Sequence, residues 1–194
     1  MLLVQKYRHY SKNYIVYPFI IILKALRGVL VVVFCLFVLG FLIPEPRGIP
    51  VQGASSADWN PKSFWFEPWG SSGVHKGLDI FAKKGTRVLA PTSLLIIYRR
   101  VLTKGGNVAL GLGPKWRLHY FAHMDRVFVA GGVFVGRGDE LGTVGNSGNA
   151  RGKPAHLHYS IFSLLPMPWR IDSSTQGKLK AFYINPLTYL KAID

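Results

Sequence analysis

The sequence predicts a mainly β protein, in which a small antiparallel, sandwich-like domain follows one N-terminal transmembrane helix. Three observations support this class. Residues 28–43 form an apolar run without a charge, residues after about 73 alternate short apolar runs with glycine-centred breaks, and no helical period of useful length occurs outside the first segment. Short strands at close spacing with glycine turns are typical of antiparallel β domains.

The composition agrees with this division. The chain has 194 residues, is 49% hydrophobic, and carries a net charge of +15 from 24 Lys+Arg and 9 Asp+Glu. Such a high apolar content excludes a disordered chain, and a single cysteine excludes an internal disulfide framework. The length suits one compact domain plus an extra segment.

The extra segment is residues 1–47, interpreted as a cytoplasmic tail and a transmembrane anchor. The apolar run, extended back through Ala25, reaches the roughly 17–25 residues that a membrane span needs, and Arg27 can snorkel to the interface. Pro44 and Pro46 then end the helix. Most of the cations of this segment precede the run, which predicts that the N-terminus stays inside and the rest of the chain lies outside.

A cleaved signal peptide is the competing interpretation of the same segment. Its hydrophobic region would normally have about 7–15 residues. This run is longer, and only Ala54–Ser55 offers a weak cleavage site. A buried core helix would show a polar face, and this run has none. We expect a single-pass protein of the cytoplasmic membrane, with its β domain on the periplasmic or cell-wall side.

The remainder divides into two parts. Residues 48–72 are rich in Pro, Gly, Ser and Ala in their first half and are predicted to be a linker or lead-in. Residues 73–194 are predicted to form the β domain, which we expect to be monomeric.

Two histidine pairs mark the candidate site. His75 and Asp79 are four residues apart, with Gly77 between them, and His156 and His158 are two residues apart. Alternate residues of a strand share a face, so the members of each pair are expected to point the same way. Imidazole and carboxylate ligands together suit zinc, and three protein ligands with an open fourth position are typical of a catalytic zinc site.

A third group contains His119 and His123, which by the same spacing share a strand face with Phe121 between them. Simpler interpretations exist for each group. A buried His–Asp hydrogen bond explains the first pair alone, and a polar strand face explains alternating histidines, which is the interpretation we favour for His119. The conjunction of three histidine-bearing strands in one small domain favours a metal site. Spacing alone does not say which of His156 and His158 is the ligand.

These motifs resemble the lysostaphin/LytM-type zinc metallopeptidases, a family of murein endopeptidases. The stretch HKGLDIFAKKGTRVLAP (75–91) resembles the family's first motif, and YFAHMDR (120–126) its Tyr-x-His-Leu segment. The stretch VGNSGNARGKPAHLHYSI (144–161) resembles its closing motif, and INPLTYL (184–190) the Asn-Pro element that follows. The match extends from about Pro50 to Pro186.

The resemblance implies a set of roles. His75, Asp79 and His158 would bind one zinc ion per chain, and His123 and His156 would perform the proton and oxyanion work. The implied function is a membrane-anchored zinc endopeptidase that hydrolyses peptide cross-links of bacterial peptidoglycan with zinc-activated water. The implied partners are the stem peptides of the wall and, through the N-terminal helix, the membrane.

Two other functions deserve comparison with this one. A catalytically inactive relative that binds the wall or regulates another enzyme would have lost ligands, whereas all five site positions are present here. A basic surface protein for anionic polymers would fit the charge, but a wall with carboxylates on its stem peptides is anionic too. We therefore expect no nucleic acid partner. Trp59, Trp65 and Trp69 are expected either to line a groove or to pack beneath a loop.

Overall fold

The structure is a computed structural model that describes residues 2–190, and for residues 2–18 it describes the backbone only. The chain divides into two compact units. The first ends at Leu42, and the second begins at Ile43 and contains every strand.

The first unit is one helix, α1, which extends over Leu2–Leu42. Its stretch Phe19–Leu42 is 24 residues long with a mean hydropathy of 2.6, which by length and composition is enough to cross a membrane. A signal sequence near the N-terminus would pass the same test. The helix ends two residues before Pro44, as the sequence predicts, because the residue before a proline is disfavoured in the α conformation.

In its described residues, 43–190, the second unit contains ten strands, six short 3-10 helices and one short α-helix. The strands are β1 (Leu78–Phe81), β2 (Arg87–Leu89), β3 (Leu94–Leu102), β4 (Gly106–Gly113), β5 (Arg117–Met124), β6 (Arg126–Val127), β7 (Phe134–Val135), β8 (Glu140–Thr143), β9 (His156–Ser163) and β10 (Tyr183–Ile184). The helix α2 follows at Pro186–Leu190.

Two antiparallel sheets face each other across one core. The larger sheet has the order β1-β9-β5-β4-β3-β7, with β10 pairing β9, and the smaller has the order β2-β8-β6. Both contribute fully buried side chains to one cluster, such as Phe121 and Leu157 from the large sheet and Leu141 from the small one. The expected mainly β, antiparallel, sandwich-like class is therefore confirmed.

The predicted lead-in at 48–72 lies in the same compact unit as the strands. Val51 is 1% exposed, belongs to the core cluster, and forms a bridge with Val88 of β2. Trp59 and Phe64 pack partly buried against the same cluster. Of the two alternatives, a linker or a lead-in, these contacts favour a lead-in that packs against the core.

Strand β9 lies inside the large sheet and positions the site. Asp79 of β1 is paired with His158 of β9, and Ala122 of β5 is paired with the same residue from the other side. Three stretches of sequence far apart in the chain therefore meet at one end of three adjacent strands.

Candidate metal centre and cleft

The structure brings the three predicted metal ligands together. Asp79 Oδ1 lies 3.0 Å from His75 Nε2 and 2.8 Å from His158 Nδ1, and the two ring nitrogens are 3.1 Å apart. His75 precedes β1 and is 1% exposed, and the other two side chains are mostly buried. One donor atom from each residue lies within 4.8 Å of the other two.

Outer partners fix the proton on each ligand ring. His75 Nδ1 lies 2.9 Å from the carbonyl oxygen of Ser63, which can only accept, so Nδ1 carries the proton. His158 Nε2 lies 2.9 Å from Ser160 Oγ, and that hydroxyl donates to the carbonyl oxygen of Lys76 at 2.8 Å. The hydroxyl therefore accepts from His158 Nε2–H. Both rings consequently turn an unprotonated nitrogen towards Asp79.

The donor atoms of this site can be compared with the ligands that a metal ion needs. When both rings are neutral, two nitrogen lone pairs and a carboxylate oxygen converge, and these three groups repel one another unless a cation lies among them. Neutral imidazoles held by outer hydrogen bonds, together with one carboxylate, are a donor set that zinc prefers. The residues present fit a zinc ion.

The pKa values of Asp79 and His158 are both shifted. Burial acts to raise the pKa of Asp79, but its polar contacts with His158 and His75 outweigh burial and hold the pKa well below its usual value. Burial lowers the pKa of His158, against the opposing effect of Asp79. At neutral pH the site therefore combines an ionised carboxylate with a neutral imidazole.

Gly77 is required for the ligands to approach. A Cβ atom at this position would lie 2.5 Å from Ser160 Oγ, 2.7 Å from the carbonyl oxygen of Tyr159 and 2.8 Å from Cε1 of His158. Strand β9 packs directly against the glycine backbone.

We expect Gly77→Ala to displace His158 and weaken the metal centre. Overpacking of this kind costs about 1–3 kcal/mol of stability, and disturbed outer contacts lower metal affinity by about 10- to 100-fold. Gly131→Ala is the matched control, because its Cβ would meet nothing closer than 3.9 Å. Denaturant unfolding and zinc competition measure both effects. Equal zinc affinity in the two variants would contradict the packing described.

His156 and His123 stand beside the three ligands without joining them. His156 Nδ1 donates to the carbonyl oxygen of Pro154 at 2.8 Å, and its Nε2 is 3.9 Å from Asp79 Oδ2. His123 Nδ1 donates to the carbonyl oxygen of Ser147 at 3.0 Å. Their ring centroids are 5.1 Å apart. In its neutral form each ring therefore carries its proton on Nδ1 and leaves Nε2 able to take up a proton.

Burial and the neighbouring histidines, His158 before His156, lower the pKa of His123 to about 4. The ring is therefore neutral at neutral pH. Its backbone has a φ of 61°, a conformation that is uncommon and costly for residues other than glycine. The hydrogen bond from its N–H to the carbonyl oxygen of Gly105, at 2.8 Å, holds it there.

The expectation that His119 and His123 share one face is wrong. The unusual φ at His123 and an irregular β4–β5 pairing interrupt the alternation, as a β-bulge does. His123 therefore reaches the cleft, whereas His119 is 0% exposed in the core and bonds the Tyr159 hydroxyl at 2.7 Å. Nor is His119 on a polar face. Burial, and to a lesser degree Arg117, lower its pKa to about 3, so it stays neutral.

A cleft of about 450 Å³ opens over Asp79, His123, His156 and His158. Trp69 forms part of its wall and packs on the buried ring of His75, with centroids 4.1 Å apart. Of the three tryptophans considered for a groove, Trp69 lines it, whereas Trp65 contacts Tyr183 and Trp59 packs on the core.

Several residues that contact the site are not predicted from the sequence. Ser63 offers a backbone carbonyl from the predicted linker, so its residue type is irrelevant to the contact. Ser160 lies two residues beyond His158, and strand alternation could have placed it on the same face. Tyr120, Lys104 and Lys153 line the cleft from β5 and two turns.

Residues 73–166 match the model of peptidase family M23. The L-Ala--D-Glu endopeptidase of Bacillus subtilis (strain 168) is 35% identical over 124 residues, which is 54% of this chain and 35% of that protein. The chain therefore covers about a third of the length of this curated relative.

Solved structures show the same fold. The catalytic domain of the antimicrobial peptidase lysostaphin from Staphylococcus simulans has a TM-score of 0.54 at 22% identity, over 71% of this chain and 98% of that one. A variant of the catalytic domain of the prophage-encoded M23 protein EnpA from Enterococcus faecalis has a TM-score of 0.52 at 22% identity, over 73% and 98%.

Proposed function

The chain carries a peptidase family M23 domain of the lysostaphin/LytM type at residues 73–166, and on that premise we propose that it is a zinc endopeptidase of the bacterial cell wall. Its substrate is the peptide part of peptidoglycan, with cross-links between stem peptides as the expected target. The observation that carries the proposal is the convergence of His75, Asp79 and His158, which each place one possible ligand atom within 4.8 Å of the other two.

These three residues would hold the metal. When bound there, zinc supplies Lewis-acid chemistry, which acidifies water and polarises a carbonyl group. Ser63 and Ser160 keep the two imidazoles in the tautomers that present a lone pair. The protein's contribution at this point is a fixed donor set in a mostly buried position.

The two neighbouring histidines would handle the protons. His123 and His156 each present Nε2 to the cleft, with the proton on Nδ1 held by a carbonyl oxygen. One ring takes up a proton at Nε2 as water adds to the peptide carbonyl. A protonated Nε2 then donates to the oxyanion or to the leaving amine. Both rings have the same arrangement, with Nδ1 bonded to a carbonyl oxygen and Nε2 able to take up a proton. We therefore assign the two proton transfers to His123 and His156 together and do not divide them.

The N-terminal helix would anchor the enzyme in the cytoplasmic membrane. Phe19–Leu42 has the length and hydropathy of a span, and Lys6, Arg8, Lys12 and Lys24 precede most of it. The excess of cations on that side favours an inside N-terminus and an outside peptidase domain. The intact mass of the protein recovered from membranes tests this directly, since a signal peptide would be missing from it.

Mass analysis of fragments released from purified peptidoglycan tests the activity. The full chain, purified in detergent with zinc, should release stem peptides with new amino termini, which identify the bond. A chelator should stop the release, and zinc should restore it. If the zinc-loaded protein bound peptidoglycan and released nothing, the chain would be an inactive wall-binding relative, and the peptidase proposal would be wrong.

A further inference from the structure

We infer that the cleft carries a carboxylate subsite formed by Lys104 and Lys153, which favours peptides with a free carboxylate close to the scissile bond. The inference rests on the proposed function, because it concerns the substrate of the same cleft. Lys104 lies in the β3–β4 turn, and Lys153 lies in the loop before β9.

Both lysines line the cleft and are exposed. Neither takes part in an ion pair among the side chains that the structure describes. Of the described residues that line the cleft, Asp79 alone is acidic, and the two ligand histidines already contact it. Among the residues that the structure describes, the two lysines therefore lack an anionic partner and lie in the same cleft as Asp79 and His158.

The turn that carries Lys104 is fixed relative to His123. The carbonyl oxygen of Gly105, the next residue, accepts the N–H of His123 at 2.8 Å. The carbonyl oxygen of Lys104 accepts the N–H of Asn149 at 3.0 Å, and a Cβ on Gly148 would lie 2.4 Å from that oxygen. This close backbone packing joins the turn to the loop on the same side of the cleft.

The loop that carries Lys153 is fixed relative to His156. The carbonyl oxygen of Pro154, again the next residue, accepts the Nδ1–H of His156 at 2.8 Å. The carbonyl oxygen of Lys153 accepts from Asn146 Nδ2 at 3.3 Å. Each lysine is thus the neighbour of a residue whose carbonyl oxygen positions one of the two histidines that lie beside the metal ligands.

In this position Lys104 and Lys153 can orient a substrate that has a carboxylate. A carboxylate that pairs with these ammonium groups would lie in the same cleft as His123 and His156. Lysine ammonium groups act as point charges for such an anion. Amidation of the substrate carboxylate removes the charge and with it the attraction, while the shape of the peptide hardly changes.

The test compares cross-linked stem peptides with free carboxylates against the same peptides after chemical amidation. The full chain in detergent is used as wild type, as the double variant Lys104→Gln/Lys153→Gln, and as the control Lys178→Gln, an exposed lysine outside the cleft. Binding is measured by calorimetry and cleavage by kcat/KM. Wild type and control should favour the free acid by about fivefold or more, which is the order expected for exposed ion pairs.

The double variant should lose this preference, with a ratio between the two peptides close to one. A wild type that cleaves both peptides equally well, or a double variant that keeps the preference, would overturn the subsite. Calorimetry separates this from failure of the proposed function. Lysine-dependent preference in binding without any cleavage would support the subsite and refute the peptidase activity.

Discussion

Replacement of His158 by Ala is expected to remove the metal and with it the activity. The variant leaves His75 and Asp79 as a two-ligand remnant, and a structural or catalytic zinc site needs at least three protein ligands. Because metal-ion catalysis contributes several kcal/mol to transition-state stabilisation, we expect hydrolysis of peptidoglycan to fall by at least about a thousandfold. Zinc content, measured by elemental analysis of the full chain, should fall from about one ion per chain to a small fraction.

His119→Asn is the matched control for this experiment. It also replaces a histidine of the large sheet, but one whose ring lies in the core and contacts Tyr159 instead of the cleft. An asparagine can keep the hydrogen bond to the Tyr159 hydroxyl. The control should retain its zinc even if it unfolds more easily. A His158→Ala protein that still holds a full complement of zinc would show that the ion binds elsewhere.

The three candidate metal ligands could be proposed from the sequence because their signal is local. The pairs His75–Asp79 and His156–His158 have strand spacing, and the β1–β9 register places Asp79 opposite His158. Which member of the second pair is the ligand could not be read from spacing, since both point to the same face. Their contacts differ in the structure, because His158 Nδ1 lies 2.8 Å from Asp79 and His156 Nε2 lies 3.9 Å from it, and this difference favours His158 as the ligand.

The parts that could not be predicted depend on long-range backbone contacts. The strand rule places His119 and His123 together, and it fails because His123 adopts a φ of 61° that the Gly105 carbonyl stabilises from a neighbouring turn. The lead-in at 48–72 has the composition of a linker, yet its backbone holds the ring of His75 through Ser63. A carbonyl oxygen belongs to every residue type, so no sequence pattern marks the residue that supplies it.

Replacement of His123 or His156 by Ala is expected to reduce turnover without removing the metal. General acid–base catalysis typically contributes about 10²- to 10⁴-fold, and we expect kcat to fall within that range for each variant. Zinc content should stay near that of the wild type, because the metal ligands keep their outer partners Ser63 and Ser160. Kinetics and elemental analysis on the same preparations measure the two quantities.

The contrast with His158→Ala makes the assignment of roles testable. If His156→Ala lost its zinc, His156 would be a ligand, and the division of roles within the His156–His158 pair would be wrong. The double variant His123→Ala/His156→Ala tests whether the two histidines act together. Residues that move protons in one reaction act as a unit, so removing both should cost little more than the more harmful single change. Fully multiplicative losses would show instead that His123 and His156 contribute independently.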